Sequence, residues 1–331
     1  MKCILSHLTA YRHLSDFAVK QTKNKFAAYW EPLRIEKYAR VANLQDVTAQ
    51  LGKLPNVDLG NLQVPLDKVD LLVVDPHNRS NAKGIVNHID ADFEPIYGSL
   101  IEAMPNVFVV SPELLFLQMA SEFEKIDLIE FGFELCGGYS LSASHEYGFV
   151  NRFPLTSVKR IDAYLKRCKP SNAVHRATEA LRHVADHSAS PRETTFVMLA
   201  SLPSRDGGFG LELPCMNYKI ELDHADKWRR NNYYCDIFWP KHKLAVEYSG
   251  TLVHNKDNLF SDNERENIIE LEKIRVIRID AQQLSNYESL EIVLTRIAQY
   301  MGIKFRRPSP QTIQRRENLR SYLYGTKRAP R

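Results

Sequence analysis

The sequence predicts a mixed α/β (α+β) chain of two domains, and three observations carry that reading. Its 331 residues exceed what one compact domain commonly holds. Short β-branched runs bounded by Pro and Gly alternate with amphipathic helical stretches. In the C-terminal half the order is helix, strands, helix, strand, helix, which implies a mixed sheet flanked by helices.

Residues 1–150 read as a separate α+β domain. Helical patterning through Tyr38 gives way to the strand-like runs Val69–Val74 (VDLLVV) and Val107–Val110 (VFVV), bounded by Asp-Pro and Ser-Pro. Ser111-Pro112-Glu113 then opens a helix. Ser suits the cap, Pro the first helical position and an acid the first turn, and Leu114, Leu115, Leu117 and Met119 supply apolar positions. Phe133–Ser140 (FELCGGYS) is a structural turn, since it has neither G-x-G-x-x-G spacing nor a G-K-[ST] ending. Residues 151–189 read as a helical connector with Ile161, Leu165, Val174, Ala177 and Leu181 on its buried face.

Residues 190–303 have the more compact pattern. Ser190-Pro191-Arg192-Glu193 starts a helix running through Phe196, Leu199 and Leu202, and a glycine-rich turn follows at 206–210. Strands are expected at Tyr218–Leu222, Tyr234–Phe238 and Leu244–Tyr248, the last two joined by Pro240 and the basic turn Lys241-His242-Lys243. A charged helix at about Asp262–Glu272, a strand at Val276–Ile279 and an amphipathic helix at Leu290–Tyr300 close the domain. Residues 304–331 form a basic tail with a short helix between its Pro- and Gly-bearing ends.

Composition excludes several classes. No run approaches the roughly 18 apolar residues of a membrane span, and MKCILSHLTAYRHL turns polar too early for a signal peptide, so a cytoplasmic chain without membrane contact is expected. The five cysteines are scattered and lack C-x-x-C pairing, which disfavours a disulfide framework or structural zinc site. His7, His77, His88, His145, His175 and His183 show no metal-ligand spacing and read as structural. Charge is uneven: Lys304–Arg331 holds nine Lys/Arg and one Glu, a local +8 within a whole-chain +4. Arg306, Arg307, Arg315, Arg316 and Arg320 could line a phosphate backbone there, with Tyr322 and Tyr324 for stacking. A solvated, disordered terminus is the alternative.

Asp236 and Glu247 carry the chemistry. They lie 11 positions apart, each in an apolar strand with a proline turn between, and alternation lets both carboxylates emerge on one face of a hairpin. Acids among Val, Ile, Phe and Trp are costly to bury without a cation. Two converging carboxylates suit Mg²⁺, with Mn²⁺ as a substitute, and such an ion activates water and neutralises charge on a scissile phosphate.

This pattern resembles the very-short-patch-repair-like branch of the P-D-(D/E)-x-K nuclease superfamily. Ser190 and Glu193 match its helical Ser-x-x-Glu, and Asp236-Ile237-Phe238-Trp239-Pro240 its strand Asp before an aromatic and Pro. Glu247, Gly250 and His254 match Glu-x-x-Gly followed by His, while Asp262, Arg265 and Val276–Ile279 match the closing helix and strand. The resemblance covers about 110 residues and implies a restriction-endonuclease-like sheet. It also implies Asp236, Glu247 and Glu193 at the metal, His254 positioning or deprotonating water, and catalytic support from Asp262 and Arg265. Lys241, Lys243 and Lys256 are further candidate contacts to nucleic acid. The superfamily lysine is replaced by Ser249, and His254 is its natural substitute.

The N-terminal region loosely resembles the antitoxin-like domain of type IV (abortive-infection) toxin–antitoxin systems. The likeness rests on Leu5–Ala10, on Leu71–His88 with Asp75-Pro76 and Arg79, and on Phe108–Ala120. The expected function is a Mg²⁺-dependent endonuclease hydrolysing phosphodiester bonds in DNA, in bacterial defence or repair, with RNA as a further substrate to test. The alternative is an inactive, DNA-binding regulator that keeps the nuclease fold, or an interaction protein of a toxin–antitoxin pair. A homodimer or a toxin–antitoxin partner would follow from these readings.

Overall fold

The computed structural model describes residues 3–22, 68–90, 96–220, 233–248, 269–270 and 272–325. It divides into two compact units, one through Val184 and the other from Ala185. Both are mixed α/β. Among the described residues no helix is long and apolar enough to cross a membrane.

In the first unit β1 (Cys3–Leu5) leads through Ser6 into α1 (His7–Thr22). Then come β2 (Val69–Val73), β3 (Ile85–Ile89), β4 (Leu100–Met104) and β5 (Val107–Val110). The sheet order is β3-β2-β1-β5-β4, so the first strand sits in the middle. β1 runs parallel to β5 (Cys3↔Val107) and antiparallel to β2 (Leu5↔Leu71), and β2 runs parallel to β3. The apolar runs read from sequence are these central strands, buried along their full length as expected for strands covered on both faces.

Helix α2 (Pro112–Glu122) begins as its residues dictate: Ser111 Oγ accepts from Leu114 N–H, with Pro112 in the first turn. Next are α3 (Lys125–Cys136), the hairpin β6 (Tyr139–Leu141) and β7 (Phe149–Asn151), α4 (Val158–Leu165) and α5 (Asn172–Leu181). The segment read as a connector is built into this unit, because α4 and α5 pack on α2 and α5 also packs on α3. Buried Glu113 accepts from Thr156 Oγ1 at 2.5 Å and pairs with Arg160 Nε at 3.1 Å. The turn after α3 houses a fully buried Arg152. Its guanidinium donates to the carbonyls of Glu134 (2.7 Å), Gly137 (3.1 Å) and Phe153 (2.9 Å) and to the Ser140 hydroxyl. Such coverage is what makes a buried cation tolerable.

The second unit opens with α6 (Pro191–Ser201), capped by Ser190, whose Oγ accepts from Glu193 N–H at 3.2 Å. The strands β8 (Cys215–Ile220), β9 (Tyr233–Trp239), β10 (Leu244–Tyr248) and β11 (Arg275–Ile279) form a sheet of order β11-β10-β9-β8. β10 and β11 are parallel and the other pairs antiparallel. β8 starts three residues before the expected Tyr218, because Cys215 already pairs with Phe238. Helices α7 (Ala281–Ser285), α8 (Tyr287–Tyr300) and α9 (Pro310–Tyr324) follow. Ile220, Cys235, Phe238, Ala245 and Ile274 form an apolar cluster on this sheet.

Helix α9 changes the reading of the tail. Leu319 and Leu323 are buried, and so is Arg316, whose Nη1 lies 3.2 Å from Glu291 Oε1 while Cζ sits 3.8 Å over the Phe209 ring. An ion pair with an aromatic floor accounts for a cation at a core position. The chain between 304 and 325 is therefore an ordered part of the unit, not a solvated terminus.

Candidate functional site

The two hairpin acids are brought together by register. Val246 pairs with Ile237 across β9 and β10, so one step further sets Glu247 opposite Asp236. Directly opposed residues share a face of the sheet. By the same counting Asn217 of β8 stands opposite Asp236, since Met216 pairs with Ile237 and Tyr218 with Cys235. On the far side Glu247 pairs with Arg278 of β11. One cross-strand row thus reads Asn217, Asp236, Glu247, Arg278.

Glu193 approaches from the first turn of α6 and is buried. Its carboxylate accepts from Ala189 N–H (2.9 Å), Ser190 Oγ (3.0 Å) and Asn217 Nδ2 (2.9 Å). Burial, followed by the neighbouring charge of Asp236, pushes its acid up to about 8 in spite of those donors. Asp236 Oδ2 accepts from Tyr248 N–H at 2.9 Å, and Arg192 Nη1 reaches the Tyr248 hydroxyl at 3.3 Å. The oxygens of Glu193, Asp236 and Glu247 do not all come within 4.8 Å of one another. Glu193 and Asp236 each turn an oxygen to a backbone donor. The donors are nonetheless all hard oxygens, one on a group that surrenders a proton reluctantly, and this chemistry fits a hard divalent ion.

Asn217 and Arg278 were not singled out from the sequence. Asn217 adopts φ +44° within β8 and binds both Glu193 and the His187 carbonyl (2.8 Å). An Asn inside CMNYKI was the available signal, since Asn is depleted in strands and tolerates left-handed backbone. Arg278 emerges only from the pairing of β10 with β11. The chain matches no family model, no curated protein and no solved structure.

Ser249, His254, Lys256, Asp262 and Arg265, with most of the expected charged helix at 262–272, lie outside the described residues. Lys241 and Lys243 are exposed at the β9–β10 turn, where Lys241 pairs with Glu212 at 2.6 Å and Lys243 donates to the Glu272 carbonyl at 3.0 Å. Of the tail arginines, Arg306, Arg307 and Arg315 are exposed, and the first two line an open cleft with Arg296, Tyr300 and Phe305. Arg316 faces the core and is not presented to a phosphate backbone, while Arg320 is partly exposed and donates to the Ser285 carbonyl. Tyr322 is exposed, whereas Tyr324 is partly buried with its hydroxyl oxygen enclosed. In the first unit two histidines read as structural, His7 and His88, are stacked on each other beside Asp70 and Glu122.

Proposed function

We propose that the C-terminal unit is a metal-dependent endonuclease of restriction-endonuclease-like arrangement that hydrolyses phosphodiester bonds in DNA within the cytoplasm. The observation that carries this reading is the cross-strand pair Asp236 and Glu247 with buried Glu193 beside Asp236. Asp236 and Glu247 would hold Mg²⁺, or Mn²⁺, with Glu193 in support. The ion would supply an activated water and charge neutralisation at the phosphate. Arg278 stands in register with Glu247, and Arg192 donates to the Tyr248 hydroxyl. They are suited to the phosphate-facing role that lysine fills elsewhere. His254 is assigned to orienting the water, as the family resemblance implies. Cutting both strands with one site per chain calls for two chains or two binding events, so a homodimer belongs to this reading.

The second reading, a DNA-binding regulator or toxin–antitoxin interaction protein on the same fold, is favoured by the open spacing of the three acids, while Ser249 in place of the superfamily lysine favours neither reading. The two are separated by incubating the protein with supercoiled plasmid, single-stranded DNA and RNA in Mg²⁺, Mn²⁺ or chelator. The nuclease reading expects cleavage that chelator abolishes and that Asp236→Ala reduces by at least about 100-fold, in the range found when groups acting on developing charge are removed. Cleavage surviving either treatment overturns it. Plasmid binding without cleavage supports the second reading.

A further inference from the structure

We propose that His7, His88 and Glu122 of the N-terminal unit form a binding site for a zinc-type transition-metal ion, with Asp70 holding His88 in place. The three residues come from α1, β3 and the last residue of α2, and nothing in their sequence spacing brings them together. One ligand atom from each lies within 4.8 Å of the other two. The imidazoles are stacked, with centroids 3.5 Å apart and planes 15° apart.

Four features distinguish this cluster from an ordinary pair of packed histidines. First, one ring nitrogen of each histidine is hydrogen-bonded to a neighbouring side chain, as metal-bound histidines commonly are. His88 Nε2 lies 3.0 Å from Asp70 Oδ1, and His7 Nδ1 lies 3.0 Å from Ser6 Oγ. With protons on those nitrogens, His88 Nδ1 and His7 Nε2 become the electron-pair donors, and a carboxylate behind an imidazole raises its basicity. Second, Asp70 is itself fixed. Its Oδ2 accepts from Thr9 Oγ1 at 3.0 Å, and its backbone N–H donates to the same hydroxyl at 2.9 Å. Third, His7 has φ +48°, a backbone conformation that residues with a side chain avoid, at the junction between the central strand and α1. Fourth, the site opens to solvent on one side: His7 is buried, His88 half-buried and Glu122 exposed. Gln118, one turn before Glu122, lies 3.5 Å from the His7 backbone N–H, so this face of α2 meets the cluster.

The donor set selects the metal class. Two imidazoles and a carboxylate suit zinc and its neighbours, whereas Mg²⁺ prefers oxygen alone. Bonds of about 2.0–2.2 Å in tetrahedral geometry place ligand atoms roughly 3.4 Å apart. Rotation of the exposed Glu122 side chain and a turn of the His88 ring out of the stack, pivoting on its hydrogen bond to Asp70, can close that gap. Three protein ligands leave a fourth position for water or an anionic ligand.

The test uses the full chain, stripped with chelator and titrated with Zn²⁺ against a chromophoric chelator. Co²⁺ spectra and X-ray absorption report the ligand type. The expected result is one site per chain with nitrogen and oxygen ligands, unaffected by Asp236→Asn, which separates it from the C-terminal acids. Glu122→Gln, a change at an exposed position, is expected to weaken binding at least 10-fold. Asp70→Asn should weaken it 10–100-fold, as bracing residues do elsewhere. His88→Gln should abolish it. Absence of stoichiometric Zn²⁺ binding, sulfur ligation, or an affinity unmoved by Glu122→Gln overturns the proposal.

Discussion

Glu193 shows how one side chain can tie the site to the stability of its unit. In the folded protein it holds its proton up to about pH 8, against 4.5 for an unperturbed glutamate. Between those values the folded state binds more protons than the unfolded one. Its contribution to stability is therefore complete below pH 4.5 and lost as pH rises toward 8. In chelator, the denaturation midpoint of the C-terminal unit should fall across that window, and Glu193→Gln should flatten the decline. Equal slopes in the two proteins would show that burial is not what protonates Glu193. The residue was legible in the sequence because the signal is local: Ser190-Pro191-Arg192-Glu193 specifies a cap, a first turn and the acid's place in it. Asp236 and Glu247 were legible as acids in apolar strands. Asn217, Arg278, His7 and His88 were not, because their partners lie in other strands and helices and only register brings them together.

At the scale of elements, α9 was the least legible. Its positive charge invites a phosphate-binding reading, yet Arg316 occupies a core position that a period-based reading reserves for an apolar residue. The helix is set against the turn after Pro203, where Gly207 has φ +91° and a Cβ would lie 2.6 Å from the Arg315 carbonyl. Gly207→Ala should cost about 2 kcal/mol or more, combining backbone strain and a clash with main chain that cannot move aside. Arg316→Ala should cost a similar amount, about 2 kcal/mol, because Glu291 is only partly exposed and loses its partner. Chemical denaturation of both variants checks these values, and wild-type midpoints would show that α9 is not anchored as described. The packing also changes which variant tests the basic surface. Deleting the tail would uncover Phe209, so Arg306→Ala with Arg307→Ala is the cleaner probe. If both arginines contact phosphates, the double variant should lower the salt dependence of DNA binding by about 2 in log–log slope.

For the whole molecule, the alternation of strand-like runs with helical stretches correctly pointed to a mixed α/β chain, and the structure sets the division between units at Val184 and Ala185. The two amphipathic helices that read as a connector are claimed by the first unit through Glu113 and the face of α2, contacts more than 40 residues away that no local pattern displays. Each unit has its own sheet and buried core, so residues 185–331 made alone should unfold cooperatively. A broad, non-cooperative transition would show that they depend on the rest of the chain. The central place of β1 also has a consequence for synthesis. Its parallel partner lies 104 residues later, from Cys3 to Val107, and its antiparallel partner 66 residues later, from Leu5 to Leu71. At about 5–20 residues per second, the first strand leaves the ribosome roughly 5–20 s before its sheet can close around it. Until β2 follows, roughly 3–13 s later, Cys3-Ile4-Leu5 is an unpaired apolar strand, which makes translation speed a determinant of yield.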